Sequence, residues 1–331
     1  MRKLIVLALL MGFLYGTYWF VGRAQIQDRL TQALIEADEG AYDISYDSLK
    51  TRGFPSRFDT TVTNFHFSDP ATDTQWTAPV FQLLALSYRP NEVIAIFPSE
   101  QVFTVNDAEV TLLTDDMRAS GKVRTNAALS FRDATITMEN PRFLTPDGAQ
   151  LTMAHVLAAM RLNPDTNQSY DIFLEAITVS LPNDIRRFID PGNLQPEFFQ
   201  SLSFDSVATF SDPIALNNAS DQQPTLETLT IKEFAMAWGE ISVSVIGDIT
   251  FNDSGLPDGS ISLSARNWQQ ALDLAVANGM VDDNRRFLVT EIISNLDETP
   301  HIQDTLTLTI AVNNGALSLG GLPLGTLPNF R

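Results

Sequence analysis

The 331-residue sequence contains no cysteine. This absence excludes disulfide bonds, thiol catalysis, thiolate-bound metals and iron–sulfur clusters. A chain without thiols has nothing to mispair in an oxidising compartment, so the composition is compatible with an envelope location but does not establish one.

Histidine is scarce as well, because His66, His155 and His301 are the three in the chain and stand far apart in sequence. A zinc or non-haem iron site would require at least two of them to converge. We therefore interpret each as an ordinary strand or surface histidine. The sequence predicts no metal site and no cofactor.

Positive charge is also limited, since 21 Lys and Arg residues face 40 Asp and Glu residues and the net charge is −19. Nucleic acid is excluded as a partner because phosphate contacts need clustered Lys and Arg, and the sequence has no such cluster. The same acidity disfavours direct docking of the body on an anionic lipid surface. With 44% hydrophobic and 18% charged residues, the chain is predicted to fold around a sizeable core.

The common catalytic motifs are missing: the sequence lacks G-x-S-x-G, P-loop, G-x-G-x-x-G and H-E-x-x-H patterns. The segment at 165–171, DTNQSYD, imitates half of a calcium loop, but Tyr170 replaces the required glycine and Ala176 the required glutamate. We interpret it as a polar turn. The acid pairs at 115–116 and 282–283 are interpreted as solvated caps. We therefore predict a non-enzymatic protein with no catalytic, cofactor-binding or metal-binding residue.

The most informative segment that is present is LIVLALLMGFLYGTYWFVG, an uncharged run at 4–22. As a helix with a rise of about 1.5 Å per residue it reaches roughly 28 Å, close to the hydrocarbon thickness of a bilayer. Arg2 and Lys3 precede it and favour a cytoplasmic N-terminus, while Arg23 weighs slightly against this orientation. Four aromatic residues gather at the far end, where an interfacial belt would lie: Tyr15, Tyr18, Trp19 and Phe20.

A cleaved signal peptide is the alternative to an anchor. Its apolar region would be shorter, about 7 to 15 residues, and would end in a small-x-small site. The residues after the run here read VGRAQIQD and offer no such site. An uncleaved anchor is therefore preferred, and in either case the body is exported.

Beyond the anchor, the spacing of Ile26, Leu30, Ala33 and Leu34 predicts a helical stalk that stops at Gly40. We predict three parts: a membrane anchor at 1–23, a helical stalk at 24–40 and a β-rich extracytoplasmic domain at 41–331. The predicted location is the bacterial cytoplasmic (inner) membrane, which the chain crosses once, with the body in the periplasm.

Apolar and polar residues alternate along much of the body, and this period of two predicts half-buried antiparallel strands with one Ser/Thr face. The clearest cases are DISYDSL, ISVSV, SISLSA and TLTLTIAV, starting at residues 43, 241, 260 and 305. Turns are predicted at NNG 313–315, SDP 211–213 and the two PDG sequences at 146–148 and 257–259. A shift of the alternation between Ala176 and Ile177 predicts a β-bulge.

Helical patterns in the body are few. A helix is predicted over 267–279 with Asn267 and Gln270 as a capping box, and another over 282–298 with Asp282 or Asp283 as its cap. The second helix is expected to place one apolar stripe inward, formed by Leu288, Ile292 and Leu296. A shorter helical region, 183–202, is expected to break at Pro191–Gly192. The predicted fold is mainly β with some α: a transmembrane helix followed by a long antiparallel meander with a few packed helices.

One short stretch, RGFPSRFD at 52–59, predicts a corner between two strands near the stalk, because Gly53 permits a sharp turn and Pro55 fixes φ. Together with WTAP at 76–79, YRPNEVIAIFP at 88–98 and GALSLGGLPLGTLP at 315–328, it resembles the bacterial DUF2125 family. That resemblance implies an alphaproteobacterial envelope protein and a fold, not an activity. A looser resemblance to AsmA-like envelope proteins is an analogy only.

Two functions fit these observations. Long amphipathic strands with few helices would leave an apolar groove for lipid or another hydrophobic ligand, unless the helices at 267–297 and sheet packing cover that face completely. On sequence alone complete cover is favoured. The alternative is a structural or adaptor protein of the envelope that contacts other proteins through an exposed strand edge. Between lipid binding and pure scaffolding, lipid binding is preferred.

Overall fold

The structure, a computed structural model, describes residues 2–216, 224–299, 302 and 304–330. It is mostly antiparallel sheet, with 52% strand and 21% helix, and it confirms the predicted fold class. The chain divides into two compact units. Unit 1 comprises Met1–Val123 and Ile136–Gly148, and unit 2 comprises Arg124–Thr135 and Ala149–Arg331. The predicted anchor, stalk and domain boundaries at residues 23 and 40 are not tested by this division and stay predictions.

Unit 1 begins with one continuous helix, α1 (Arg2–Asp38), which contains both the predicted anchor and the predicted stalk. Within the described residues, it is the one helix long and apolar enough to cross a membrane. It ends two residues before the predicted stop at Gly40, where the Asp38 carboxylate accepts a hydrogen bond of 2.7 Å from the Ile44 amide.

The strands of unit 1 form antiparallel pairs along the chain. They are β1 (Asp43–Ser45), β2 (Ser48–Arg52), β3 (Arg57–Asp69), β4 (Thr74–Leu86), β5 (Arg89–Ile96), β6 (Glu100–Val105), β7 (Ala108–Leu113), β8 (Asp116–Val123), β9 (Phe131–Glu139) and β10 (Arg142–Leu144). Strand β9 begins in unit 2 and ends in unit 1. Strand β3 pairs with β1, β2 and β4, β4 also pairs with β5 and β6, and β5 pairs with β8. Strand β7 pairs with β6 and β10.

The core of unit 1 lies between α1 and this sheet. Leu49, Val62 and Phe65 are buried in it, and Leu30 and Leu34 of α1 pack against them. The apolar stripe predicted for the stalk therefore has a specific role, because it fixes the second half of α1 to β2 and β3.

Over its described residues, unit 2 is a meander of long strands with three α-helices. Its strands are β11 (Gln150–Thr152), β12 (His155–Leu162), β13 (Ser169–Val179), β14 (Phe199–Phe210), β15 (Leu226–Trp238), β16 (Ile241–Phe251), β17 (Pro257–Arg266), β18 (Thr305–Asn313), β19 (Ala316–Leu319) and β20 (Leu322–Thr326), and its helices are α2 (Asn183–Ile189), α3 (Trp268–Ala277) and α4 (Arg286–Leu296). From β12 to β20 each strand pairs antiparallel with the next. This confirms the predicted meander.

Helix α4 is present as predicted, but the stripe assigned to it was wrong in part. Leu288 and Ile292 are exposed, whereas Val289, Ile293 and Leu296 pack against the core under α3 and α4. Both sets have helical spacing, so the sequence alone does not choose between them. The predicted cap is correct, since the Asp282 side chain accepts a hydrogen bond from the Asn284 amide at the start of the turn that precedes α4.

Other local predictions were also wrong. The capping box of α3 does not form: Asn267 has a φ of 53° and its side chain donates to the Glu240 carbonyl instead. The PDG sequence at 257–259 lies inside β17, because the chain already turns at Asn252–Gly255.

The predicted helical region at 183–202 is helical only over α2, and the chain enters β14 at Phe199. The predicted bulge at Ala176 and Ile177 is absent from the pairing of β13 with β12 and β14, which runs without a shift through both residues. The irregularity lies one strand later, where the register of β14 against β15 shifts between Asp205 and Ser206.

Candidate functional site

An apolar strip crosses the sheet of unit 2. Residues paired across antiparallel strands point to the same face of a sheet. The register pairs Leu174 with Phe204, Phe204 with Phe234, Phe234 with Val245 and Val245 with Leu263. One face from β13 to β17 therefore carries an unbroken row of apolar side chains.

The helices of unit 2 cover the β15–β18 side of this face, because α2 and α3 also pack on Trp238 and Ile241 of β15 and β16. Trp268 and Leu272 of α3 pack with Ala265, Leu306 and Leu308, which belong to β17 and β18. At the other end of the row, Leu174 is 44% exposed. A large apolar side chain open to solvent on a sheet face is the feature expected of a surface that binds an apolar partner.

The opposite face of the same strands carries a cluster of ion pairs together with two exposed apolar residues, Ile177 and Ile246. The Asp171 carboxylate accepts a hydrogen bond of 2.9 Å from the Arg161 guanidinium and lies 3.4 Å from the Lys232 ammonium, which is also 3.6 Å from Asp205. The hydrogen bond from Arg161, with a further contribution from Lys232, holds the pKa of Asp171 below its ordinary value, although partial burial acts in the other direction. The paired positions of the strip contain no charged residue, so the strip is the more apolar of the two faces.

Unit 1 has a cleft of its own, with a volume of about 480 Å³. Leu84, Leu86 and Ile94 give it an apolar lining, and Arg57 and Glu92 add charge to the wall. Leu86 and Ile94 are exposed. The cleft can accept a small apolar group next to a cation.

The corner predicted at RGFPSRFD lies beside this cleft and joins β2 to β3. Gly53 has a φ of +109°, and a Cβ atom there would come within 2.9 Å of the Arg57 carbonyl oxygen, so the position requires glycine. The Arg57 guanidinium lies 3.0 Å from the Asp59 carboxylate. The structure confirms the corner.

The predicted aromatic belt of α1 contacts this corner. The Trp19 ring is buried, stacks on Phe58 at a centroid distance of 5.9 Å, and donates from Nε1 to the Arg57 carbonyl at 2.8 Å. The Tyr18 hydroxyl donates to the Ser87 carbonyl at 2.6 Å, and the Tyr15 hydroxyl lies 2.9 Å from Ser87 Oγ. These contacts fix residues 15–19 of α1 to two turns of unit 1, the Gly53–Arg57 corner and the Leu86–Arg89 turn.

The histidines do not form a site in the part of the chain that the structure describes. His66 lies on β3 with Nδ1 3.1 Å from Thr77 Oγ1, His155 begins β12, and His301 lies outside the described residues. Across the described ranges, no group of three or more His, Asp or Glu side chains could hold a metal ion.

The acidic residues singled out in the sequence have local hydrogen-bonding roles. Asp115 accepts from the Asn140 side chain at 2.8 Å, and Asp116 lies 3.0 Å from Arg118. The would-be calcium loop at 165–171 is a turn that leads into β13, and its Asp171 is engaged by Arg161. The apolar strip, by contrast, was not predicted residue by residue, because the alternation of β13 to β15 shows an apolar face but not whether a helix covers it.

A search among curated proteins finds no match for this sequence. A comparison with family models finds one that matches residues 19–328, DUF2125, described as an uncharacterized protein conserved in bacteria. The matched range includes the corner, the YRPNEVIAIFP turn and the C-terminal hairpin, which are the segments that carried the resemblance. The likeness to AsmA-like proteins is not confirmed. Because the model covers nearly the whole chain, this protein belongs to the DUF2125 family.

Proposed function

We propose that this protein is a non-enzymatic, single-span membrane protein of the bacterial envelope that binds an apolar chain, that of a lipid, on the strip of unit 2. The observation that carries the proposal is the exposed end of the strip on β13. Leu174 is 44% exposed there, and the apolar row continues from it through Phe204 and Phe234. Burial of apolar area contributes about 25 cal/mol per Å². An acyl chain along this row would therefore be held without any catalytic group.

The proposed location is the cytoplasmic membrane, with the body in the periplasm. The apolar half of α1 supports the single span, and the positive charges of Arg2 and Lys3 support a cytoplasmic N-terminus. The absence of cysteine from the sequence is compatible with an oxidising compartment.

Photo-cross-linking of the full chain in cells tests the lipid proposal. Benzoylphenylalanine is incorporated at Leu174 and, as the matched control, at Ile177. Ile177 lies on the same strand and is 37% exposed, but it points to the opposite face, since it pairs with Ser201. After irradiation, mass spectrometry of the purified chain should show lipid adducts severalfold more abundant at position 174 than at 177. Equal adducts at the two positions would refute binding on the strip.

The alternative function is that of an adaptor for other envelope proteins. The supporting observation is β20, whose five residues are all exposed at the end of the meander. Pro323 lies in this strand and removes one backbone donor, which is a common protection of strand edges against pairing. The edge therefore supports the adaptor function less strongly than the strip supports lipid binding. Protein adducts at position 174 in place of lipid would favour the adaptor.

A further inference from the structure

In addition to the packing of Leu30 and Leu34 on β2 and β3, unit 1 is attached to α1 at a second place, inside the apolar run. The residues of α1 that bond to the two turns are Tyr15, Tyr18 and Trp19, whereas the apolar run continues to Gly22. With a rise of about 1.5 Å per residue, Tyr15 lies about 10 Å and Trp19 about 5 Å below the end of the run. A helix whose apolar run fills the hydrocarbon layer would hold the contacts with these turns within about 10 Å of the membrane boundary, on its hydrocarbon side.

Backbone carbonyl groups of the corner have hydrogen-bond partners, as burial in a membrane requires. A carbonyl without a partner costs several kcal/mol in hydrocarbon, so exposed loops are normally excluded from it. Here the Gly53 carbonyl accepts from the Arg57 amide at 2.9 Å, and the Ser56 carbonyl accepts from the Ser87 amide at 2.9 Å. The Pro55 carbonyl accepts from Ser87 Oγ at 3.4 Å. The carbonyls of Arg57 and Ser87 accept from the aromatic side chains of α1 described above.

The side chains at the tips of the two turns are apolar and open. Phe54 is 56% exposed at the corner, and Tyr88 is 63% exposed in the turn between β4 and β5. Phenylalanine and tyrosine at this depth match the composition of interfacial belts.

Cations surround these tips although the chain as a whole is acidic. Arg52 and Arg57 bracket the corner, and Arg89 follows Tyr88, all three with exposed side chains. Register places Arg57 and Arg89 on either side of Leu86. Arg52 is paired in register with Asp59, the one carboxylate among the described residues that contacts the Arg57 guanidinium, at 3.0 Å, so the three arginines outnumber it. Guanidinium groups beside an apolar tip suit the phosphate layer that lies directly above the acyl chains.

We propose that the Gly53–Arg57 corner and the Leu86–Arg89 turn dock into the surface of the bilayer that α1 crosses, with Phe54 and Tyr88 at the acyl boundary and the three arginines at lipid phosphates. Unit 1 is then held against the membrane and does not swing on a stalk. This inference rests on the membrane anchoring in the proposed function, but not on the lipid-binding strip.

Site-directed spin labelling of the full chain in phosphatidylcholine–phosphatidylglycerol vesicles tests the proposal. Because the sequence has no cysteine, each label occupies a unique position. Labels are attached at F54C and Y88C, at M11C in the exposed apolar part of α1, and at A71C in the turn at the far end of β3. The measurement compares collisions of each label with oxygen, which concentrates in the bilayer, and with a water-soluble nickel complex. Tyr88 has no role in the Trp19 contacts, so its substitution leaves the corner intact.

The expected result is an oxygen-to-nickel ratio severalfold higher at positions 54 and 88 than at 71, and highest at 11. If positions 54 and 88 match 71 while 11 is lipid-exposed, the anchor is correct and the docking is refuted. If position 11 is also exposed to nickel, the anchor itself fails, and the docking fails with it.

Discussion

The contact between Trp19 and the corner allows a quantitative prediction for the W19A substitution. Truncation of a buried aromatic side chain to alanine costs about 3–5 kcal/mol in a water-soluble core. Here one side of the interface is a helix that faces lipid or detergent when undocked, so the transfer of the ring from water contributes less. The remaining cost comes from the cavity against Phe58 and from the Arg57 carbonyl, which loses its 2.8 Å donor. We expect a total of about 2–3 kcal/mol for the docking of α1 on unit 1.

Hydrogen exchange of the full chain in detergent micelles measures this cost locally. Since 1.36 kcal/mol corresponds to a factor of ten, amides in β2 and β3 should exchange about 30- to 150-fold faster in W19A. Peptides from unit 2 serve as the internal reference. W19F, which keeps most of the ring but removes the donor, should give an intermediate value. L10A is the matched control, because Leu10 is an exposed residue of the same helix. If W19A exchanged no faster than L10A, the contact with the corner would not hold α1.

Three further predictions concern unit 2. D171N should lower stability by about 0.5–1 kcal/mol at neutral pH, because its partner Arg161 is largely exposed. The pKa of Asp171 is lowered in the folded state, so its contribution to the free energy of unfolding is present above the unfolded pKa of about 3.9 and is lost as the pH falls through the folded pKa. In denaturant titrations between about pH 5 and 2, D171N should therefore lose less stability than wild type. G259A should cost at least about 2 kcal/mol in chemical unfolding, because its Cβ would clash with the Asp248 carbonyl oxygen, whereas G121A in unit 1, with open space around it, should be neutral; equal effects would contradict the packing argument. Y170F should cost about 1–3 kcal/mol in thermal unfolding, because the buried hydroxyl accepts from the Ile214 amide at 2.8 Å; an unchanged transition would show that this bond contributes nothing.

The parts of the fold that could be predicted from sequence are those decided by local pattern. Alternation in TLTLTIAV predicts β18 because the residues on one face, Leu306 and Leu308, enter the core and the threonines between them do not. The corner at Gly53 was predictable because few residues other than glycine adopt a φ of +109°. In both cases a few neighbouring residues contain the whole physical reason.

Other features depend on contacts that sequence does not display. Phe199 begins a strand and not a helix because β14 pairs with β13 from Phe199 onward and with β15 from Ser201 onward, and this pairing overrides an ambiguous local pattern. The exposure of Leu174 on β13 depends on where α3 and α4 pack, and they pack over strands β15 to β18. Whether an amphipathic strand is covered is a property of the tertiary structure, so the candidate site required the structure.

The arginines at the corner also bear on the orientation of the chain in the membrane. During insertion, the charges that decide orientation lie within about 15–20 residues of the apolar segment, so Arg23 and Arg29 weigh against a cytoplasmic N-terminus and Arg52, Arg57 and Arg89 do not. Arg57 and Arg89 lie at or close to the residues that accept hydrogen bonds from Trp19 and Tyr18, so folding places them near the end of the apolar run although they are distant from it in sequence. A chain that needs cations at lipid phosphates on the outer side can therefore supply them without reversing its own insertion, provided that they come from far along the sequence. The net charge of −19 is a sum over the whole chain, so it does not show that positive side chains lie together at one place of the folded protein.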